Sequence, residues 1–501
     1  MAYLPELVLL AGALGLFAVT LGESRGGLAR QVALATAAAT ILAALAAFGQ
    51  EATLFSGAYR VDAFSQMLKL VFSCGFLLVI LLGGSLPDIR EEVKPEYYLF
   101  LALSVFGLVS LVSCIELMSL VVALEVSAFP LYLMIPMRRE RAGQRSQMES
   151  AIKYMMFGLA ANGVMFFGMS QIFGITGSTS IPVVMEKLKP IATSPLAVTG
   201  RALMFCGMYY KLAIFPFHFW TPDVYQGASN ETAGLIASLP KIGGVAVLVR
   251  FVSLGTPDNR AIAMLLGILA VGSMFYGNLI ALMQKDFKRL LGFSGIAHAG
   301  YALVGFVAMD QAGFAAALYY IIGYLLMVMA CFVVICRVSK DGVNISIDEF
   351  AGLHKRSPLL AVTLAVGVFG LAGIPPFVGF MGKLGLLSAA LARGHMALVI
   401  IAVINSAIAV YYYLSVVRES WFRDPEGRPA IQVDLPTRVL CGALIGGILA
   451  LGILPGRVID SLSSSIAKTT APQAAVVVLP AAAHLAATLN ALPPVSGRGT
   501  P

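Results

Sequence analysis

The sequence predicts an all-α polytopic membrane protein of about fourteen transmembrane helices, and three observations support this prediction. Only 12% of its 501 residues are charged and 59% are hydrophobic, whereas soluble proteins contain about 25% charged residues. The apolar residues gather in runs of about 18 or more, each long enough to cross a bilayer core of about 30 Å. Basic residues cluster in alternate loops between those runs. A water-soluble fold is therefore excluded.

Each apolar run predicts one helix, in chain order. The predicted helices cover residues 4–21, 31–49, 61–84, 97–114, 115–137, 149–175, 195–221, 231–254, 259–282, 289–308, 312–336, 358–392, 396–420 and 436–455. The first run lacks the basic segment and the small-residue cleavage site of a signal peptide. We therefore expect it to stay in the protein as the first helix.

The loops between these helices predict their orientation. Loops on one side carry most of the basic residues: Arg25, Arg30, Arg90, Lys94, Arg138, Arg139, Arg141, Arg145, Lys285, Lys288, Arg289, Arg337, Lys340, Lys355, Arg356, Arg418, Arg423 and Arg428. Because basic loops stay inside, the N-terminus is predicted to lie outside. This orientation also accounts for the net charge of +8, so we expect no nucleic-acid partner.

Two of the predicted helices are interrupted. Residues 358–392 would form a continuous helix roughly 50 Å long, but Pro375 and Pro376 interrupt it. Pro216 interrupts the run 195–221 in the same way. Proline frees backbone groups that are tolerated at membrane depth only where protein or water can bind them. The interruptions therefore predict a polar interior.

The spacing of the interruptions predicts a repeat. Five helices separate them, which suggests that a five-helix unit at residues 97–254 is followed by a second at 259–420, each with a broken helix. Residues 1–96 then form three N-terminal helices. Residues 421–455 supply the last helix with its preceding loop, and 456–501 form a C-terminal tail.

Ionisable residues lie inside the apolar runs. Glu125, Lys211, Lys241 and Lys383 are near helix centres, and Lys153 is closer to an inner end. Lys211 and Lys241 each lie about ten residues, or roughly 15 Å, from the ends of their predicted helices, which is the bilayer midplane. Burying the four central residues costs about 10–14 kcal/mol, at about 2.5–3.5 kcal/mol each. We interpret them as an ion pathway. Structural ion pairs or snorkelling side chains are the alternative.

Lysine suits such a pathway better than arginine does. Burial favours the neutral form of a lysine and a nearby carboxylate favours the charged form, so a buried lysine can switch, whereas arginine stays charged. His218 and His298 are candidate intermediates between the lysines. Satisfied packing histidines are the alternative. Nothing in the sequence resembles a catalytic, cofactor-binding or metal-binding motif, so any redox cofactors are expected in partner chains.

Several segments identify a family. They are PELVLL (5–10), DAFSQMLKLVF (62–72), EYYLFLALSVFGLVSLVS (96–113), ELMSLVVALEVSAFPLYLM (116–134), AIKYMMFGLAANGVMFFG (151–168), KLAIFPFHFWTPDVYQGA (211–228) and GIPPFVGFMGKLGLL (373–387). They resemble the antiporter-like membrane subunits of respiratory complex I. That resemblance covers roughly residues 1–455.

The resemblance implies fourteen transmembrane helices in which the two five-helix repeats are inverted, and a proton-translocating role. Glu125 would match the family's membrane glutamate at a subunit interface, and Lys153 and Lys211 the pumping lysines of the first half-channel. Lys241 would be the connecting lysine and Lys383 the terminal lysine of the second half-channel. His218 would match the histidine of the PFH motif.

The resemblance also implies partners and a location. NADH, FMN, iron–sulfur clusters and quinone would bind to partner subunits. Other membrane-arm subunits, including another antiporter-like one, would flank this chain, and lipid would cover the rest. The complex would lie in a bacterial inner membrane, with the N-terminus of this chain on the periplasmic side.

One segment departs from the family's pattern. Where the family commonly has proline and small residues, this chain reads Ser229-Asn230-Glu231-Thr232, which places an acid at the inner end of the Lys241 helix. Three alternatives stay open: a subunit of a cation/proton antiporter, a subunit of a hydrogenase or other ferredoxin-linked membrane complex, and a non-conducting structural anchor.

Overall fold

Helices make up most of the structure, a computed structural model that describes residues 1–22, 25–140, 146–253 and 260–470. The helices in the described ranges are α1 (Leu4–Thr20), α2 (Gly26–Ala46), α3 (Ala63–Gly83), α4 (Lys94–Leu111), α5 (Leu117–Met134), α6 (Ser146–Thr176), α7 (Ile181–Leu188), α8 (Pro195–Met204), α9 (Cys206–Leu212), α10 (Thr221–Gly227), α11 (Asn230–Ser253), α12 (Arg260–Ala281), α13 (Phe287–Val307), α14 (Gln311–Val338), α15 (Leu353–Arg356), α16 (Pro358–Ala372), α17 (Val378–Ala392), α18 (Met396–Phe422), α19 (Leu435–Ile453) and α20 (Gly456–Thr470). A short hairpin of β1 (Ala52–Leu54) and β2 (Tyr59–Val61) precedes α3.

The predicted fold class is confirmed. Within the described ranges, eleven helices are long and apolar enough to cross a membrane. The apolar helices α1, α16 and α17 are shorter. Each predicted apolar run coincides with one helix or with the parts of a broken one. The relation between the two predicted five-helix units stays a prediction.

Contacts between loops divide the helix ends into two faces. On what we call the first face, where α1 begins, backbone bridges join Tyr59 to Cys114 and Glu116 to Ser180. On the opposite, second face, bridges join Ile89 to Arg138 and Asp286 to Ser346. The alternation of loops predicted from the basic residues is therefore present in the structure, with the basic loops gathered on the second face.

Both interrupted helices are broken where the prolines lie. Helix α9 ends at Leu212, Ala213 takes a left-handed conformation with φ 62°, and the helical path resumes only at α10. Helix α16 ends at Ala372 before Gly373, whose φ of 83° favours glycine. The first break differs from expectation in one respect: Lys211 does not lie ten residues from a helix end, because it is the penultimate residue of α9.

The most enclosed helices are α11 and α13. Every residue in the membrane-spanning stretch of each is buried inside the protein. Glycine allows the closest packing there: a Cβ at Gly277 on α12 would lie 2.6 Å from the Ala297 nitrogen on α13. The centre of the molecule is therefore the place where α11, α13 and α14 meet.

Residues 456–470, at the start of the predicted tail, form helix α20 on the first face. Its Ser463 carbonyl accepts a hydrogen bond of 2.6 Å from Gln311 Nε2. Near its other end, Thr469 Oγ1 donates to Asp62 Oδ2 at 3.4 Å. The rest of the predicted tail, residues 471–501, lies outside the described residues.

Candidate functional site

Glu125 lies halfway along α5 and is half-buried. Asn162 on α6 donates from Nδ2 to Glu125 Oε1 at 2.5 Å. The neighbouring side chains Met118, Val122 and Phe129 are exposed on the same helix. Glu125 is therefore an acid at the border between the protein interior and an uncovered apolar surface.

Lys211 lies one helix further in and is buried. Its Nζ donates to Ser127 Oγ at 2.5 Å, and Ser127 is two residues after Glu125 on α5. The Glu125 carboxylate is near enough to interact with the Lys211 charge. Among the described residues, however, no ion pair of 4 Å or less joins these two groups. Lys211 is therefore bound by Ser127 of α5, while the Glu125 carboxylate influences its charge without direct contact.

Lys153 occupies a different environment. Its Nζ lies 2.5 Å from Glu149 and 2.7 Å from Asp223, and its side chain is 37% exposed. Arg289 also binds Asp223, at 2.7 Å. The structure therefore places Lys153 in a half-exposed ion cluster and not beside the buried Lys211.

Lys241 lies at the centre of α11 and is 1% exposed. Its Nζ donates to the Gly295 carbonyl of α13 at 2.9 Å and lies 5.1 Å from the centre of the Tyr324 ring. A Cβ placed on Gly295 would lie 2.7 Å from that Nζ, 3.0 Å from Tyr324 Oη and 3.8 Å from Tyr225 Oη. One ammonium and two phenol groups therefore converge on this glycine.

His298 lies one turn further along α13. Its Nδ1 is 2.6 Å from Tyr320 Oη and its Nε2 is 3.0 Å from Tyr413 Oη. A neutral imidazole has one donor and one acceptor nitrogen, so one phenol donates to it and the other accepts. The ring is also 5.0 Å from the Tyr324 ring, which contacts Lys241. His298 is thus hydrogen-bonded on both sides in the interior.

Lys383 lies beyond His298, at the second break. Its Nζ donates to the Ala372 carbonyl at 3.0 Å, to the Leu371 carbonyl at 3.3 Å and to Ser406 Oγ at 3.0 Å. It also lies 4.7 Å from the centre of the Tyr301 ring, which is 6.2 Å from the His298 ring. The last carbonyls of α16 thus hold the ammonium.

The two breaks use lysine in a related way. Lys211 is itself at the end of α9, and Lys383 reaches back from α17 to the end of α16. A helix C-terminus carries about half a negative charge and stabilises a cation. Broken helices therefore provide stabilised cation positions inside the protein without a fixed carboxylate partner.

His218 is not connected to this series. It is buried, and its ring nitrogens have no hydrogen-bond partner within the described ranges. Its neighbours are aromatic: the Tyr276 ring at 4.1 Å, the Phe219 ring at 4.5 Å and the Phe215 ring at 5.4 Å. The structure brings His298 between the lysines but leaves His218 beside the first break.

Two buried ion pairs near the first face were not predicted from the sequence. Lys69 on α3 lies 2.5 Å from Glu6 on α1, and both side chains are fully buried. Arg250, near the end of α11, forms two hydrogen bonds of 3.0 Å with Asp62. The sequence does contain a sign of these pairs, because Glu6 lies within the predicted run 4–21, and Asp62 and Lys69 lie within the run 61–84. In the described part of the chain, no group of three or more His, Cys, Asp or Glu side chains could hold a metal ion.

Known proteins resemble this chain over most of its length. Residues 114–409 match the family described as NADH:quinone oxidoreductase/Mrp antiporter, TM. A protein of Opitutus terrae named NADH-quinone oxidoreductase subunit N 2 is 64% identical over 467 residues, which cover 93% of this chain and 98% of the relative. The segments PEL (5–7) and EYYLF (96–100), which resemble subunit N in particular, agree with that relationship.

Solved structures give the same picture. A chain of respiratory complex I from Thermus thermophilus with bound aureothin has a TM-score of 0.79 and 29% identity, and the match covers 92% of this chain and 100% of that one. A chain of the Mrp complex from Dietzia sp. has a TM-score of 0.83 at 20% identity, over 94% of this chain and 98% of that one. The second likeness shows the fold alone.

Proposed function

Because this chain belongs to the family of NADH:quinone oxidoreductase and Mrp antiporter membrane subunits, we propose that it is subunit N of an NADH:quinone oxidoreductase and translocates protons. One observation carries the proposal. Buried Lys241, His298 and Lys383 follow one another through the interior. The Tyr324 ring lies beside both Lys241 and His298, and the Tyr301 ring lies beside both His298 and Lys383. Ionisable residues buried inside a membrane protein without a carboxylate partner for each are typical of ion pathways and proton relays.

The geometry suggests how the residues act. A change of charge at Glu125 alters the electric field at Lys211, which favours gain or loss of a proton there. Lys241 and Lys383 sit in carbonyl and aromatic environments that accept either the ammonium or the amine. His298 exchanges its donor and acceptor nitrogens when a proton passes between its two tyrosines. Each charge state therefore influences the next through an interior of low dielectric constant.

Partner subunits supply the driving reaction in this proposal. NADH, FMN, iron–sulfur clusters and quinone bind to those subunits, and oxidation of NADH by quinone provides the free energy. The uncovered apolar side chains beside Glu125 fit a neighbouring membrane subunit on that flank, including another antiporter-like one. Further membrane-arm subunits on the opposite flank and lipid cover the remaining apolar surface.

The orientation follows from the basic residues. The second face gathers Arg138, Lys288, Arg289 and the basic residues of the later loops. We assign this face to the cytoplasm of a bacterium and the first face, with the N-terminus, to the periplasm.

The alternatives differ in what they transport or couple. A cation/proton antiporter shares the fold, but the 64% identity to a protein named as a quinone oxidoreductase subunit supports the proposed assignment. Sodium-dependent transport without quinone reductase activity would support the antiporter instead. Activity with reduced ferredoxin but not with NADH would indicate a ferredoxin-linked complex.

Alanine variants of Lys211, Lys241 and Lys383 test the proposal. In vesicles containing the intact complex, we expect each to lose most NADH-driven proton translocation, because a titratable position disappears from the interior. Assembly is checked by native electrophoresis and quinone reductase activity is measured in parallel. Lys355→Ala is the matched control, since Lys355 is exposed and pairs only with exposed Asp424 among the described residues. Normal translocation by all three assembled variants would show that the chain is a structural anchor.

A further inference from the structure

Glu231 is a buried acid that the proposed pathway does not yet use. It lies in the first turn of α11, on the second face, and is 1% exposed. A Cβ on Gly83 would lie 3.3 Å from Glu231 Cγ, so the side chain lies against the end of α3. Its Oε2 has no hydrogen-bond partner within the described ranges. An unsatisfied carboxyl oxygen in such a place is costly.

Lys288 is the cation associated with Glu231. It is fully buried in the first turn of α13, and its Nζ donates to the Ala228 carbonyl at 2.8 Å. It interacts electrostatically with Glu231, although no ion pair of 4 Å or less joins them in the described structure. The adjacent Arg138 and Asp88 are paired with each other at 2.6 Å. The charges of Glu231 and Lys288 are thus opposite and attract each other, although the two side chains are not in direct contact.

The groups that face Glu231 come from several helices. Besides Lys288 on α13 and Asp88 in the loop after α3, they are Ser229 before α11, Tyr97 and Tyr98 on α4, and Cys336 on α14. Tyr97 Oη is another buried atom with no hydrogen-bond partner among the described residues. In proteins, unpaired buried polar atoms are where ordered water binds. The surroundings of Glu231 therefore suit a hydrated carboxyl group.

The same helices lead from this site to Lys241. Lys288 precedes Gly295 by seven residues on α13, which is about 10 Å along the helix, and the Gly295 carbonyl binds Lys241. The hydroxyl groups of Tyr225 and Tyr324 beside Lys241 have no hydrogen-bond partner in the described structure. On α11, Pro240 has no N–H to donate to the Ile236 carbonyl, midway between Glu231 and Lys241. Polar groups that can bind water thus lie beside Glu231, beside Lys241 and between these two residues.

We propose that Glu231 and Lys288 form a proton-uptake site on the second face that supplies Lys241. This inference rests on the proposed function. The Glu231 carboxylate takes a proton from water at the second face and releases it along water molecules past Tyr225 to the Lys241 amine, which becomes the ammonium. Glu231 returns to the carboxylate, so one proton enters and one is delivered. The Lys288 ammonium, bound to the Ala228 carbonyl, favours the carboxylate form of Glu231 electrostatically between transfers.

The opposing interpretation is that Glu231 only neutralises Lys288. Three variants of the complete complex separate the two: Glu231→Gln, Glu231→Asp and the double variant Glu231→Gln with Lys288→Met. If Glu231 carries protons, the first loses most NADH-driven translocation, the second keeps it because an acid remains, and the third stays impaired. If Glu231 is only a counter-ion, removal of both charges restores translocation in the double variant, which overturns the proposal.

Controls separate this inference from the proposed function. Glu91→Gln, at an exposed acid on the same face, is the matched control and should translocate normally. We also expect Glu231→Gln to change the pH dependence of translocation, which a purely structural residue would leave unaltered. Normal translocation in assembled Glu231→Gln, together with loss in Lys241→Ala, overturns the uptake site alone. Normal translocation in Lys241→Ala as well as in the Lys211 and Lys383 variants overturns the proposed function itself.

Discussion

The Lys241 ammonium donates to a carbonyl that belongs to a glycine, and this makes the backbone part of the site. Only a residue without a Cβ leaves room for Nζ at its present position, because the added carbon would lie 2.7 Å away. The atom that must move is the end of a flexible side chain, so the helix itself need not shift. A substitution at Gly295 can therefore disturb the position of Lys241 without destabilising the fold.

Gly295→Ala should fold and assemble but translocate protons poorly. The new methyl group displaces Lys241 Nζ from the Gly295 carbonyl and from the Tyr324 ring. Displacement of a reacting group by about 1 Å can reduce a rate tenfold or more. The initial rate of NADH-driven proton translocation in vesicles measures the effect. Gly267→Ala on α12 is the control, because a Cβ there meets no atom within 4 Å. An unimpaired Gly295→Ala variant would mean that the Lys241 contact is incidental.

Helix α11 is fixed at its first-face end by a polar junction with α3. Asp62 accepts a hydrogen bond of 2.8 Å from Ser65 N, which caps α3, and binds the Arg250 guanidinium through both carboxyl oxygens. Arg250 also donates to the Val112 carbonyl at 2.8 Å. Burial raises the pKa of Asp62, but the adjacent Arg250 guanidinium outweighs this effect and holds that pKa below its ordinary value. The Asp62 carboxylate thus joins α3 to α11, and Arg250 extends the junction to the end of α4.

Asp62→Asn should destabilise the protein by about 3–5 kcal/mol, because it leaves a buried guanidinium without its counter-ion. Since the folded-state pKa of Asp62 is below the unfolded one, its contribution is complete above the unfolded pKa of about 4 and is lost as pH falls through the folded value. Thermal unfolding of the detergent-solubilised complex at several pH values measures both effects. The exposed variant Asp424→Asn is the control and should unfold like the wild type. Equal stability of Asp62→Asn and wild type at pH 7 would contradict the prediction.

Across the whole molecule, the sequence predicts those features that depend on local composition. Apolar runs give the helices within a few residues, and prolines locate both breaks. The helix that follows the first break was not predicted. It is α10, Thr221–Gly227, a short polar helix that lies beyond the end of the apolar run 195–221. The end of α9 at Leu212 was also missed, because Pro216, four residues later, does not specify where helical hydrogen bonding stops.

Pairings between distant helices are not encoded locally and could not be predicted. His298 was a candidate on its own, but its partners Tyr320 and Tyr413 become evident only when α14 and α18 pack against α13. In the run Tyr411-Tyr412-Tyr413, the helical phase buries the last residue and leaves Tyr411 exposed. Charged partners such as Glu6 and Lys69 are 63 residues apart in sequence. A single sequence supplies the polar residues of an interior but not their contacts.

The arrangement of loops on two faces yields a prediction about orientation. Ser461 on α20 and Lys355 on α15 are both exposed, the first on the first face and the second on the second face. If the basic second face is cytoplasmic, an impermeant thiol reagent should label Ser461→Cys in intact spheroplasts and Lys355→Cys only in inverted vesicles. The parent chain, which contains six cysteines, sets the background. Because both positions belong to one folded chain, they must exchange together if the orientation is reversed; labelling of Lys355→Cys from outside and of Ser461→Cys only after inversion would therefore refute the assignment and move the proposed uptake site to the periplasm.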